Sequence, residues 1–240
     1  MDAQPLLVII PSRSRPESVA KIADAYDATG AWQVAAPLFV IDADDPACDA
    51  YESALSARLM ARRRQPRWVP MVAKLNAAAI DHATYYDHRA IAFAGDDHIP
   101  RSAGWAQDTL AALDEMGTGI VYPNDGYQGE KLASSWAMTT DIIKQLGRMV
   151  PAPVEHLYCD NSIMDLGRAV GRLQYLPHVL IEHMHPVAGK VANDAQYERV
   201  NGREQYRKDR PQYRQWRDRG GLQRDAQLIN ELLKGAPTDA

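Results

Sequence analysis

The chain has 240 residues, 46% hydrophobic and 24% charged, with 27 Lys and Arg against 31 Asp and Glu for a net charge of −4. That mixture is enough for one sizeable core and excludes a disordered or fibrous chain. Apolar runs such as Leu6–Ile10 fall far short of the roughly 20 residues a membrane-crossing helix needs.

Leu6-Leu7-Val8-Ile9-Ile10 is wholly apolar and ended by Pro11, which suits a strand buried on both faces. Ser14-Arg15-Pro16-Glu17 supplies the start signals of a helix reaching about Tyr26. A strand over Leu38–Ile41 is followed by a helix from about Ala47 to Met60. A short strand is expected at Arg67–Pro70, with a helix over Ala73–Tyr85, and a fourth strand over Ala90–Ala94 precedes a helix at Trp105–Glu115. This alternation predicts an α/β fold with a mostly parallel sheet flanked by helices. Beyond Gly117 the pattern becomes mixed: strands near Ile120 and Trp136, helices over Thr140–Leu146 and Asn161–Val170, and a strand at Val179–Glu182. The tail from about Asn193 is helical in composition, with breaks expected at Pro211 and at Gly220-Gly221.

Charge is unevenly spread. From Arg199 to Arg224 nine Lys and Arg stand against Glu204, Asp209 and Asp218, a local +6 that leaves −10 for the rest. An acidic body with a basic tail suggests different partners for the two parts. Met1-Asp2-Ala3-Gln4-Pro5 has no basic n-region, so no secretory leader is expected. Cys48 and Cys159 are too few for a disulfide framework or thiolate metal site, and the expected location is cytoplasmic.

Ligands of open parallel sheets bind beyond the carboxyl ends of the strands. The loops there are polar: Pro11–Pro16, Asp42–Pro46 and Gly95–Pro100. In Gly95-Asp96-Asp97-His98, two adjacent carboxylates at the end of a buried strand are costly unless something positive lies beside them, and a divalent cation is one answer. A capping or Asx turn before Pro100 is the other. Downstream, Glu182-His183-Met184-His185-Pro186 offers imidazoles, with His183 and His185 on one face of a strand. Imidazole with carboxylate suits Mn²⁺ better than an all-oxygen Mg²⁺ cage.

In their order along the chain, the apolar strand with Pro11-Ser12-Arg13-Ser14-Arg15-Pro16, then Phe39-Val40-Ile41-Asp42-Ala43-Asp44, then Phe93-Ala94-Gly95-Asp96-Asp97-His98-Ile99-Pro100 with Trp105 resemble the GT-A glycosyltransferases. More narrowly they are similar to family-two-like members encoded by bacteriophages. The resemblance runs from about Leu6 to Asp194. It implies a GT-A domain over 1–192, with a nucleotide-sugar-binding half at 1–116 and an acceptor half at 117–192, followed by a helical basic extension at 193–240. It further implies a Mn²⁺- or Mg²⁺-dependent transfer of sugar from a nucleotide-diphosphate sugar to a hydroxyl.

The family's Asp-x-Asp motif falls on Gly95-Asp96-Asp97, or on Asp96-Asp97-His98 with the frame slipped by one, and Gly95 stands where the strict pattern has Asp. By this likeness Asp97 is the metal ligand, together with His183 or His185, and Asp96 contacts the ribose, or the metal through water. Ser12, Arg13 and Arg15 contact base and ribose, Asp42 and Asp44 accept from a pyrimidine N–H or ribose hydroxyls, and Lys74 and Asn76 line the donor site. A solvated helix lysine is the plain alternative for Lys74, and turn chemistry before Pro46 for the acidic cluster. Asp160 is the base that takes the acceptor's proton in an inverting transfer. It also suits a helix N-cap, while Asp165 is structural.

The loop Asn124–Glu130 suits an acceptor rim, and Trp136 either stacks on a ligand or fills the core. In the tail, Tyr197, Tyr206, Tyr213 and Trp216 alternate with cations. That composition fits DNA, including hydroxymethylated bases of phage DNA, and equally a solvated arm. A cell-surface polysaccharide or lipid-linked acceptor is the alternative. From other classes, a nucleotidyltransferase is disfavoured by a first loop without glycine, and a non-catalytic nucleic-acid binder stays open.

Overall fold

The computed structural model describes residues 4–184 and 202–235. Eight strands form one sheet in the order β3-β2-β1-β4-β7-β6-β8-β5. They are β1 (Leu6–Pro11), β2 (Ala35–Asp42), β3 (Ala61–Gln65), β4 (Ala90–Phe93), β5 (His98–Pro100), β6 (Ile120–Asn124), β7 (Trp136–Thr139) and β8 (Leu173–His183). The first four pair in parallel, β7 runs antiparallel between β4 and β6, β8 is parallel to β6, and β5 is antiparallel to β8. Six strands therefore share one direction, and β7 and β5 oppose them.

The central strands are apolar throughout because both faces are covered. Leu6, Val8 and Ile10 face a core shared with α1 (Glu17–Thr29), α2 (Cys48–Ala57) and α4 (Trp105–Met116). Leu7 and Ile9 face a second core with α3 (Met71–Tyr85), α5 (Thr140–Leu146) and α6 (Cys159–Ala169). The result is a three-layer α/β fold. No helix among the described residues is long and apolar enough to cross a membrane.

The third strand is Ala61–Gln65, and the expected Arg67–Pro70 is a loop. The strand was hidden by its composition. As the sheet's edge it carries Arg62, Arg63 and Arg64, which alternate between faces: Arg62 and Arg64 reach Glu52 on α2, while Arg63 reaches Asp81 on α3. The last strand is longer than expected. Its register against β6 jumps between Pro123↔Leu176 and Asn124↔Leu180, a bulge just before the segment whose other edge pairs with β5.

Among its described residues the tail has two helices, α7 (Arg203–Asp218) and α8 (Gly221–Gly235). The break expected at Gly220-Gly221 is present. The close turn requires glycine, since a Cβ on Gly221 would lie 2.1 Å from the Trp216 ring. Pro211 does not break α7. It is on the exposed side, where water can satisfy the carbonyl it leaves unbonded, and buried Asp209 and Trp216 hold the helix on either side of it.

This hairpin packs on the body. Trp216, Ala226 and Ile229 join the second core, Arg148 grips both oxygens of Asp225 at 2.6 and 2.8 Å, and Tyr213 donates its hydroxyl to Asp165. Because Ile229 is fully buried there, Ile229→Ala should destabilise the whole protein by about 2–5 kcal/mol. Urea unfolding followed by both fluorescence and circular dichroism should show one transition moved to lower denaturant.

Candidate active site

The carboxyl ends of β1, β2, β4 and β8 open onto one cleft of about 660 Å³, a size suited to a small organic ligand. Arg13, Arg15 and Lys74 line one side, Asp96, Asp97, His98 and His183 the floor, and Tyr158, Asp160 and the start of α7 the other side. Trp68 and Val69, in the segment expected as a strand, also line it.

On the first side Asp42 is fully buried at the end of β2, where its Oδ2 accepts from Lys74 at 2.6 Å and Arg13 at 3.0 Å. Its other oxygen is buried without a hydrogen-bond partner among the described residues. Arg13 also holds exposed Asp44 at 2.9 Å, and that hydrogen bond keeps the Asp44 carboxyl below the usual range. Lys74 is 4% exposed, so it is not a solvated helix lysine. Asn76, two residues on, is turned about 200° around the helix and does not line the cleft. It instead accepts the Met149 and Val150 amides and fastens α3 to that segment. Asp45 takes the Ser14 and Ala47 amides, which is turn chemistry.

Ser12 is buried and faces inward. Its hydroxyl donates to Asp96 at 2.6 Å and bonds Tyr51, whose hydroxyl accepts the Arg15 amide. Arg15 completes the network on the other Asp96 oxygen at 2.8 Å. Both carboxylate oxygens of Asp96 are thus engaged in shaping the first loop. Burial, with the neighbouring Asp97, pushes Asp96 up to about 6 despite Arg15 and Ser12.

Asp97, His98 and His183 bring three ligand atoms within 4.8 Å of one another. Antiparallel pairing of β5 with β8 sets His98 opposite His183, and the rings stack at 4.0 Å. Asp97 lies 3.1 Å from His98 Nδ1 and 3.5 Å from His183 Nε2. Two donors on one octahedral ion stand about 3 Å apart, so the spacing fits a divalent cation. So does the chemistry. His98 Nε2 is buried with no partner among the described residues, and burial together with His98 lowers the His183 pKa against the pull of Asp97. Burial would raise Asp97, but hydrogen bonds from His183 and His98 hold it well below the usual carboxylate range. One carboxylate with two imidazoles suits Mn²⁺ well.

His98 was not among the ligands expected from sequence; β5 has only three residues and ends in proline, so its pairing gave no periodic signal. His185 lies outside the described residues. The geometry also accounts for Gly95. A Cβ there would lie 2.6 Å from Asp97 Oδ1 and 2.7 Å from His98 Nδ1, leaving no room for the aspartate of a strict Asp-x-Asp pattern.

Asp160 is the second residue of α6, whose N-cap is Tyr158 in the left-handed region at φ +65°. Its carboxylate accepts the Asn161 amide at 2.8 Å and does not act as the N-cap. Burial raises its pKa against the opposing Asn161 amide and His183. On the acceptor half, Asp125 organises the 124–130 loop by accepting the amides of Tyr127, Gln128 and Gly129 and the Ser134 hydroxyl. Trp136 is core, packed on Phe93. Tyr213 stacks on Tyr158 and Trp216 is buried, so neither is open to stack on a ligand, whereas Tyr206 is 48% exposed in the cleft. Tyr197 and Arg199 lie outside the described residues.

No protein-family model matches the sequence, and neither does any curated protein. Solved structures do match. The mannosyltransferase PcManGT from Pyrobaculum calidifontis, in complex with GDP-Man and Mn²⁺, aligns over 97% of this chain and 76% of its own, with a TM-score of 0.59 at 12% identity. S. aureus TarS aligns over 76% of this chain and 37% of its own, TM-score 0.57 at 9% identity. TarS 1–349 with UDP-GlcNAc aligns over 83% and 64%, TM-score 0.56 at 10% identity. The chain thus spans less than two thirds of these TarS chains and about three quarters of PcManGT. It has a GT-A-type fold.

Gly95→Ala should drive Asp97 and His98 apart and weaken Mn²⁺ binding about 10- to 100-fold, as measured by calorimetric titration. Unchanged affinity would show that the turn does not shape a metal site.

Proposed function

We propose that this chain is a metal-dependent glycosyltransferase that moves a sugar from a nucleotide-diphosphate sugar to an acceptor hydroxyl. The observation that carries the reading is the meeting of Asp97, His98, His183 and Asp160 in one cleft at the carboxyl edge of a GT-A-type sheet. That PcManGT is described with GDP-Man and Mn²⁺, and TarS with UDP and UDP-GlcNAc, supports a nucleotide-sugar donor.

In this reading Asp97, His98 and His183 hold Mn²⁺ or Mg²⁺, with His185 kept as a further candidate. Held there, such an ion would supply positive charge to offset the negative charge developing on a departing diphosphate. Arg13, Arg15 and Lys74 add fixed positive charge on the donor side, already oriented by Asp42, Asp44 and Asp96. Asp42 acts by holding Arg13 and Lys74, and Ser12 acts through Asp96. On an inverting course the bond from the anomeric carbon to the diphosphate breaks as the acceptor oxygen attacks from the opposite face, and its proton passes to Asp160. A carboxylate with a pKa raised by burial is a better proton acceptor than an exposed one.

For the acceptor we favour DNA bearing hydroxymethylated bases. Arg203, Arg207, Arg210 and Arg214 recur at the spacing of one helical stripe, all four are exposed, and none pairs with an acid among the described residues. The stripe starts on the helix that walls the cleft through Gln205, Tyr206 and Lys208. Two buried free cysteines agree with a reducing, cytoplasmic setting.

With Mn²⁺ and a panel of nucleotide sugars, one donor should be hydrolysed slowly without acceptor, and Asp97→Asn should abolish that release; no release from any donor overturns the reading. Asp160→Asn should cut transfer about 10²- to 10⁴-fold with donor binding intact. Since a base must be deprotonated, wild-type transfer should decline on acidification at a pH above the range of an exposed aspartate. A variant with the four arginines changed to glutamine should bind duplex DNA more weakly, the slope of log affinity against log salt shrinking by about 3–4. An unaltered slope points to a polysaccharide or lipid-linked acceptor instead.

A further inference from the structure

Within the basic run of α7 stands one fully buried acid, Asp209. Its neighbours in sequence are Lys208 and Arg210, yet neither pairs with it: Lys208 lies by Glu155 and Glu204, and Arg210 is exposed. A buried carboxylate is costly unless its lone pairs are occupied. Here four N–H groups occupy them. Oδ1 accepts the Glu155 amide at 2.8 Å; Oδ2 accepts the His156 and Leu157 amides at 3.0 and 2.7 Å and the Gln205 side-chain amide at 2.9 Å. Three successive backbone amides converging on one anion form a nest, here filled by a side chain from a distant helix.

The segment so held is the run that leads into Asp160. Residues 155–160 all line the cleft. On its other side the strap reaches the donor half, where the Glu155 carbonyl accepts the Val72 amide at 3.0 Å in the first turn of α3, the helix that carries Lys74. Between the strap and Asp160 lies Tyr158, whose positive φ is unfavourable for a side-chain-bearing residue and persists only where its surroundings enforce it. Those surroundings are again the hairpin: Tyr213 stacks on the Tyr158 ring at 5.2 Å and Tyr206 meets it edge-on.

We infer that Asp209 is a positioning residue of the active site, acting from the C-terminal hairpin through the 155–157 strap to fix the turn that presents Asp160. Its importance for sugar transfer rests on the function proposed above; its hold on the strap does not. Asparagine at this position keeps the size but loses the charge and turns an N–H₂ toward amide donors. A displacement of about 1 Å at a reacting group is enough for a rate loss near 10²-fold.

The test uses the full chain with two readouts. In Asp209→Asn, hydrogen exchange at the 155–157 amides should accelerate at least about tenfold while the β1 and β4 amides keep their protection. Transfer should lose about 10- to 100-fold in kcat, with the donor KM within about threefold of wild type. A general loss of folding would move the sheet amides as well. Should Asp209→Asn fail to accumulate, Gln205→Ala removes one of the four donors, and its 155–157 exchange should rise to a smaller degree. Wild-type exchange at 155–157 in whichever variant folds overturns the inference, as does a wild-type kcat in Asp209→Asn. If the wild-type protein turns over no nucleotide sugar, the function proposed above fails, and the exchange readout alone decides the role of Asp209.

Discussion

The candidate site depends on one cross-strand pair. His98 and His183 come from strands far apart in sequence, and they meet because the short β5 pairs antiparallel with the end of β8. The paired segment of β8 lies just beyond the bulge in its register against β6, and the Gly95 turn brings Asp97 alongside. The Met184 amide then donates to the Asp97 carbonyl at 2.9 Å, so the backbone locks the same contact that the side chains exploit. In the absence of that ladder Asp97 would be one more acid in a turn before a proline.

The C-terminal hairpin has a different relation to the body from the one its charge suggests. Its outward side is strongly basic, but its inward side is apolar and acidic at chosen points: Trp216 and Ile229 enter the core, Asp225 takes Arg148, and Asp209 takes the strap amides. The helix is thereby fixed in rotation as well as place. A fixed rotation is what turns four arginines into a directed stripe, and what puts Gln205, Tyr206 and Lys208 into the cleft wall. The acidic body and the basic hairpin thus both line one cleft.

The first half of the fold was legible because both sides of the sheet are covered: apolar runs at Leu6–Ile10, Leu38–Ile41 and Ala90–Ala94 bounded by polar loops leave few alternatives. Where a strand sits at an edge the signal vanished. Ala61–Gln65 carries three arginines, and β5 is too short for any period to show. At the candidate site, Asp97 and a histidine of the 183/185 pair stood out from local sequence and resemblance, while His98 needed the pairing of distant strands. Asn76 misled because nearness in sequence to Lys74 says nothing about facing on a helix, where two residues separate opposite sides. Asp209 left a faint mark, a lone acid between Lys208 and Arg210, but a basic surface and a buried anchor look alike until the strap is seen.

The balance of charge in the cleft explains why its cations come ready paired. Arg13, Arg15 and Lys74 each contact an acid, and with Asp42 and Asp44 behind them and Asp96, Asp97 and Asp160 lining the cleft, these acids outnumber the three cations when all are ionised. Burial raises the pKa of Asp96 and Asp160, while hydrogen bonds hold Asp97 and Asp44 low. Under the proposed function, a divalent cation held by Asp97, His98 and His183 would offset the excess of negative charge. A diphosphate then meets arginine and lysine groups that carboxylates hold in place, so little reorganisation is left for the moment its charge develops. In the proposed reaction, the acids on the donor side thus orient the cations that would face the diphosphate.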